Sequence, residues 1–418
     1  MNILHVIQRY YPYIGGSELY FQELSERFAR EGNHITLYTT DAWDLEHFWS
    51  SGKRSISIRQ EVHNGVEIHR FAVERLPAAP LTYPALRRAM TEVARLPLNT
   101  TPFLFSLSRW TPHVPALERA LEKLDEPFDI VHAANIPLDS IIYAAFRFAQ
   151  CRKIPFVVTP FTHLGEPNDR RIRKYYTMPH QIAMLRDAHA VIVQTQLEVN
   201  ELARLGVPRG KMQCIGVGVN PDQVLGGDGL RARAKYGIEG TIVLFLGTAA
   251  YDKGTMHLIQ AMEQLWMHRD ATLVIAGPQL TQFQKFFAGR SQETKKRTRV
   301  LGFVSDEDKR DLLAACDVFV LPSRTDSFGI VYLEAWLYNK PVIGARAGGV
   351  PAVIDDEHDG FLVNFGDIEM LETRIEQLLK DRALADSFGN IGHAKVLREL
   401  TWDKKYAQVK ALYESLLK

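Results

Sequence analysis

The chain of 418 residues is long enough for two or three domains. At 46% hydrophobic and 24% charged residues it reads as ordinary globular protein, which excludes collagen, a coiled coil or wholesale disorder. Its 50 basic and 49 acidic residues give a net charge of +1, spread evenly over both halves, which argues against dedicated nucleic-acid binding. Cys151, Cys214 and Cys316 lie far apart and form neither a disulfide framework nor a C-x-x-C pair, as suits a reducing cytosol. The opening Met1–Ile7 has no basic n-region and too short an apolar run for a signal peptide, and no apolar stretch has spanning length. A cytoplasmic protein is expected, with peripheral contact on the inner face of a membrane left open.

Strands and helices alternate along the chain. Ile3–Ile7 reads as a buried strand. A loop with Gly15-Gly16 follows, then a helix from Ser17 to Arg30 with Ser17 as its cap and Gly32 at its end. Strands are expected at Ile35–Thr39, Val66–Ala72, Asp129–Ala133, Phe156–Thr159 and Val191–Gln194, with helices at Leu138–Ala149 and Leu197–Leu205. Residues 76–115 interrupt the rhythm with seven prolines. They read as a helix-containing insertion packed on the first domain, in preference to an acceptor-side or membrane-facing segment. Residues 216–240 carry seven glycines and mark the linker. The pattern then restarts with strands at Ile242–Leu246, Thr272–Ala276, Arg299–Phe303, Val318–Leu321 and Pro341–Gly344. Helices fit at Thr255–Trp266, Asp306–Ala315 and Ile330–Leu337, and Trp402–Leu417 reads as an amphipathic helix. The expectation is two α/β units with parallel sheets.

Chemistry gathers at the carboxyl ends of the strands, where open α/β sheets bind ligands. After Val318–Leu321 the loop carries Asp326, and a helix is expected from near Phe328 with Glu334 about two turns in. Gly329 admits a ligand to the helix start, whose free N–H groups favour anions. Asp326 alone reads better as a helix cap than as a ligand group. Glu334, followed by Ala335-Trp336-Leu337, is a carboxylate in an apolar helix and needs a partner. Gly348-Gly349 before Pro351 reads either as a tight turn or as a second anion-ready helix start. Lys253, in the loop after Ile242–Leu246, reads as a phosphate ligand or a solvated lysine. His163 is singled out only by lying past the end of Phe156–Thr159. The basic clusters Arg170–Lys174 and Lys295–Arg299 read as solvated surface. No metal-ligand spacing, Walker loop, dinucleotide fingerprint or nucleophile elbow is present.

Taken together, Gly15-Gly16 with Glu18, His163, Lys253-Gly254, Pro322–Ala335, Lys340-Pro341-Val342-Ile343, Gly348-Gly349 and Trp402 give a chain that resembles the family 4 retaining glycosyltransferases of GT-B architecture. The resemblance implies two facing Rossmann-like domains with a cleft between them: an acceptor side at 1–215 and a nucleotide-sugar side at 216–400. It also implies a helix at 401–418 crossing back to the first domain. It implies that Glu334 holds the ribose hydroxyls and Asp326 those of the donor sugar. Backbone groups at Phe328, Gly329 and Ile330 would meet sugar or phosphate, and Lys253 would neutralise the diphosphate. Gly15 and Gly16 would let the loop approach the donor, His163 would lie by the transferred sugar, and the nucleobase would rest near Gly302-Phe303-Val304. The implied partners are a UDP- or GDP-sugar and a glycan or lipid-linked acceptor in cell-surface polysaccharide synthesis, with no metal or cofactor and no nucleic acid. Two positions depart from the family. Asp326 stands where glutamate is usual, and Thr248 where an arginine usually assists the lysine, with Arg324 or Arg346 as its replacement. The alternatives carried are a non-catalytic nucleotide-sugar binder and a nucleotide-sugar epimerase on the same fold.

Overall fold

A computed structural model describes every residue except Ile14 and Gly165–Asp169, and every side chain except theirs and those of Arg170 and Arg171. The Gly165-Glu166 part of the loop after Phe156–Thr159, and the first two residues of the Arg170–Lys174 cluster as side chains, therefore lie outside the described residues. The chain divides into two compact units. The first comprises Met1–Thr162, Arg170–Gly216 and Tyr406–Lys418, and the second comprises Val217–Lys405 with the short stretch beginning at His163.

The first unit is built on β1 (Asn2–Val6), β2 (His34–Thr40), β3 (Gln60–His63), β4 (Val66–Phe71), β5 (Ile130–Ala134), β6 (Phe156–Thr159), β7 (Ala190–Val193) and β8 (Met212–Cys214). Their order is β3-β4-β2-β1-β5-β6-β7-β8, parallel except for the edge pair β3–β4. The second unit holds β9 (Ile242–Leu246), β10 (Thr272–Ala276), β11 (Thr298–Gly302), β12 (Val318–Leu321), β13 (Val342–Ala345) and β14 (Phe361–Val363). These run parallel in the order β11-β10-β9-β12-β13-β14. The central strands are almost wholly buried because helices cover both faces of a parallel sheet. In each sheet the strand order reverses once, between β1 and β5 in the first and between β9 and β12 in the second. These switch points open crevices at the strands' carboxyl ends.

The glycine-rich stretch expected as a linker is partly helical, with helices at Pro221–Val224 and Gly229–Tyr236. The insertion forms helices at Ala79–Val93 and Thr101–Ser108. They pack through Met90 and Leu104 against Met178, while Leu81 and Leu98 stay 77% and 72% exposed. Among the described residues no helix is long and apolar enough to cross a membrane.

Two packing features fix the positions of helices in each unit. The Arg382–Glu399 helix lies close against the Ile330–Leu337 helix, and a methyl group on Gly392 would run into the Trp336 indole. Trp336 is fully buried, with its indole N–H donated to Asp359 O at 3.0 Å, so it has nowhere to move. Gly392→Ala is therefore expected to destabilise the second unit by about 1–3 kcal/mol, read as a lower thermal unfolding midpoint. The C-terminal helix, Trp402–Leu416, buries Tyr406, Val409 and Tyr413 on the face its periodicity predicts. From Tyr406 onward it belongs to the first unit, where Phe28 stacks on Tyr413 with ring centres 5.1 Å apart.

Candidate functional site

At the second unit's switch point the loops after β9 and β12 are joined. Arg324 N–H donates to Asp252 O (3.0 Å), and the Arg324 guanidinium forks onto the Asp252 carboxylate (2.6 and 2.9 Å) while lying over the Tyr251 and Phe365 rings. This brings Lys253 Nζ to Asp326 Oδ2 at 2.9 Å. Lys253 is thus not a solvated loop lysine, and Asp326 is not a helix cap. The capping position is Gly329, in the left-handed region (φ 86°), with no side-chain cap. The Gly348-Gly349 turn holds the Asp326 backbone. Gly349 N–H donates to Asp326 O (2.8 Å), and Gly348, also at positive φ (58°), approaches that carbonyl too closely to tolerate a Cβ. The alternative of a second anion-ready helix start fails here, because Val350–Ala352 is a single 3₁₀ turn.

The helix after β12 spans Ile330–Leu337 as expected, and Glu334 stands little more than one turn in rather than about two. Phe328 is buried at the helix entry, and the first-turn N–H groups from Gly329 and Ile330 have no carbonyl a turn earlier to bind. Glu334 is 6% exposed. Its Oε1 accepts from Lys309 Nζ at 2.6 Å, while Oε2 is buried without a partner among the described residues. Burial pushes this carboxyl above the usual range and Asp306 adds to the rise; Lys309 opposes it. Lys309 lies on the Asp306–Ala315 helix, which follows the Gly302-Phe303-Val304 loop at the end of β11. In that loop Phe303 is 85% exposed and Val304 partly buried, which leaves an aromatic face for stacking. Thr248, partly buried after β9, supplies no cation. Arg346 pairs with Asp356, and only Arg324 belongs to the Lys253 loop cluster.

His163, which follows β6, groups by its contacts with the second unit. Burial lowers its pKa, the Lys253 charge lowers it further and Asp326 works against both, so the imidazole is neutral at neutral pH. The first unit positions the chain just before it. Glu198 accepts from Thr162 N–H (2.9 Å) and from Gln194 N–H (2.7 Å), tying the end of β6 to the end of β7. Sequence reading missed Glu198, whose only signal is a glutamate in the first turn of a helix.

Gly15 and Gly16 lie at the first unit's switch point. Gly15, not Ser17, is the N-cap of the Gly16–Arg30 helix. The Ser17 hydroxyl is engaged elsewhere, accepting from Gln8 Nε2 (3.1 Å) and Asn135 Nδ2 (3.2 Å) and donating to Glu18 (3.0 Å). Buried Glu18 also accepts from Gln8 (2.8 Å) and Arg9 (3.0 Å). Side chains from both strands beside the switch point thus fix this loop, and a Cβ on Gly16 would meet nothing within 4 Å. Among the described residues no group of three or more His, Cys, Asp or Glu side chains is arranged to hold a metal ion.

Comparison with known proteins agrees with this geometry. Residues 15–218 match the glycosyl transferase 4-like domain, and residues 230–395 match glycosyl transferases group 1. The chain belongs to the group 1, family 4 glycosyltransferases, and its fold is GT-B. It is similar to the N-acetyl-α-D-glucosaminyl L-malate synthase of Bacillus anthracis, 24% identical over 417 residues that cover 98% of this chain and 96% of the relative. Sucrose-phosphate synthase from Thermosynechococcus elongatus superposes over 100% of this chain and 99% of its own, with a TM-score of 0.71 at 21% identity. Anabaena HepE, solved in complex with UDP, superposes over 99% of this chain and 100% of its own, with a TM-score of 0.73 at 18% identity. At these identities the structural likeness establishes the fold.

Proposed function

We propose that this glycosyltransferase moves a sugar, with retention of configuration and without a metal ion, from a UDP- or GDP-sugar to a hydroxyl of a glycan or lipid-linked acceptor in cell-surface polysaccharide synthesis. The observation that carries the donor reading is Glu334, a buried carboxylate with one oxygen unpartnered among the described residues, paired to Lys309 on the helix that follows the exposed Phe303 loop. A buried acceptor without a donor costs free energy that a ribose hydroxyl would recover. Lys253 and the N–H groups at the start of the Ile330–Leu337 helix would face the diphosphate, and Asp326 the donor sugar. As the sugar–phosphate bond breaks, negative charge grows on the diphosphate, and fixed cations and amides stabilise it there without a divalent ion. Neutral His163 can donate or accept a hydrogen bond beside the transferred sugar. The solved HepE complex with UDP lends support to a uridine donor, and the exposed leucines of the insertion to a lipid-linked acceptor.

The test is nucleotide release from a panel of UDP-, GDP- and ADP-sugars, with mixed glycan acceptors and with EDTA. Release from one donor, unchanged by EDTA and reduced about tenfold to a hundredfold in Glu334→Ala, is the expected result. A chain that nucleotide stabilises against heat but that releases none from any donor would instead be the non-catalytic binder.

A further inference from the structure

The Lys309–Glu334 pair joins two elements that the donor reading uses separately. Lys309 rides on the helix that leaves the Phe303 loop, and Glu334 lies on the helix behind the Asp326 loop. Lys309 is the more exposed partner of the pair, with 32% of its side chain exposed against 8% for Glu334. The charges that act on the Glu334 carboxyl are Lys309, which lowers it, and Asp306, which raises it. On the packed Arg382–Glu399 helix, His393 is turned to the Trp336 and Leu337 carbonyls (3.2 and 3.1 Å) and Lys395 is paired with Asp359 (2.6 Å). The Tyr338 hydroxyl donates to Val224 O (2.6 Å), Asp306 adds negative charge, and Asp222 on the Pro221–Val224 helix is exposed to solvent.

Resting on the donor reading of Glu334, we infer that Lys309 is the positioning residue for it, keeping the buried carboxylate charged and aimed so that its free oxygen accepts from the hydroxyls of a nucleotide sugar. A neutral carboxyl in the same place would offer a proton where the ribose also offers one. Without Lys309 burial acts unopposed and the carboxyl rises further, so its protonation sets in at higher pH than in the unaltered chain. Raising the pH then restores the charge and the binding. A purely structural ion pair predicts a loss of affinity with no such recovery.

The experiment is calorimetric binding of UDP-glucose and GDP-mannose, whose diester phosphates do not titrate in the range used, to the full chain, Lys309→Met and Lys309→Arg between about pH 6.5 and 9. The expected result is a flat profile for the unaltered chain and affinity about tenfold lower for Lys309→Met near pH 7, recovering to within about threefold near pH 9, with Lys309→Arg close to the unaltered chain throughout. Lys309→Gln replaces Lys309→Met if the latter loses cooperative unfolding. Affinity in the variant that is unchanged, higher, or lowered equally at every pH overturns the inference while leaving the donor reading standing. Failure of the unaltered chain to bind either nucleotide sugar overturns both.

Discussion

Lys253→Ala is expected to slow sugar transfer by about a hundredfold to a thousandfold while weakening donor binding much less. Lys253 is the ammonium that the joined β9 and β12 loops bring to the Asp326 carboxylate, at 2.9 Å. Charge on the leaving diphosphate is larger in the transition state than in the bound donor. A fixed cation therefore acts mainly on the rate constant, by about 3–4 kcal/mol. Part of that is unavailable to Arg324, whose guanidinium is forked onto Asp252 and packed on two rings. The same variant should move the acid limb of the pH–rate profile. Lys253 lowers the His163 pKa, so its loss lets that pKa climb back toward the ordinary value of 6.5 and shifts the limb to higher pH. Steady-state kinetics against pH check both effects. A drop in donor affinity equal to the drop in transfer would place Lys253 in ground-state binding alone.

Much of this organisation could be read from the residues, and the exceptions have physical causes. Buried parallel strands announce themselves as short apolar runs, and β1, β6, β9 and β12 were legible for that reason. The edge strand β3 was not, since Gln60-Glu61-Val62-His63 has no apolar side facing the core and Val62 is 71% exposed. β8 and β14 are three residues each, too short for any period to show. Asp326 and Glu334 stood out because a strand, a glycine loop and an apolar helix follow one another in sequence. Lys309 did not, because its partner lies on another helix and its own neighbours, Asp306-Glu307-Asp308, look like a solvated face. Ser17 was misread as a cap because local sequence cannot reveal that Gln8 and Asn135, from two different strand ends, would claim its hydroxyl.

Mild acid is expected to unfold the first unit well before its carboxylates titrate. Its core holds two fully buried histidines that share one tyrosine from the C-terminal helix. The Tyr413 hydroxyl is hydrogen-bonded to His132 Nδ1 (2.6 Å) and His5 Nε2 (3.2 Å), while Ser25 and Thr159 occupy the opposite ring nitrogens (2.7 and 2.8 Å). One hydroxyl can donate to only one ring, so the arrangement works with both imidazoles neutral. Burial lowers His5 to about 3 and His132 well below 6.5, and the His5 charge would depress His132 further. In the unfolded chain both bind protons near 6.5. The stability from keeping them neutral is therefore fully present above that value and is lost as pH falls from 6.5 toward 3. For His5 this costs about 1.4 kcal/mol per pH unit across the window, about 2 kcal/mol by pH 5, and His132 adds to the loss as pH falls below 6.5. His132→Gln removes one of the two titrations. The slope of stability against pH just below 6.5 should then become shallower, whatever the variant does to stability at neutral pH. Denaturant unfolding at a series of pH values measures that slope, and an unchanged slope would mean that His132 already carries its proton in the folded chain. Because Tyr413 comes from the last helix, the same acid that charges the pair also releases that helix from the first unit's core.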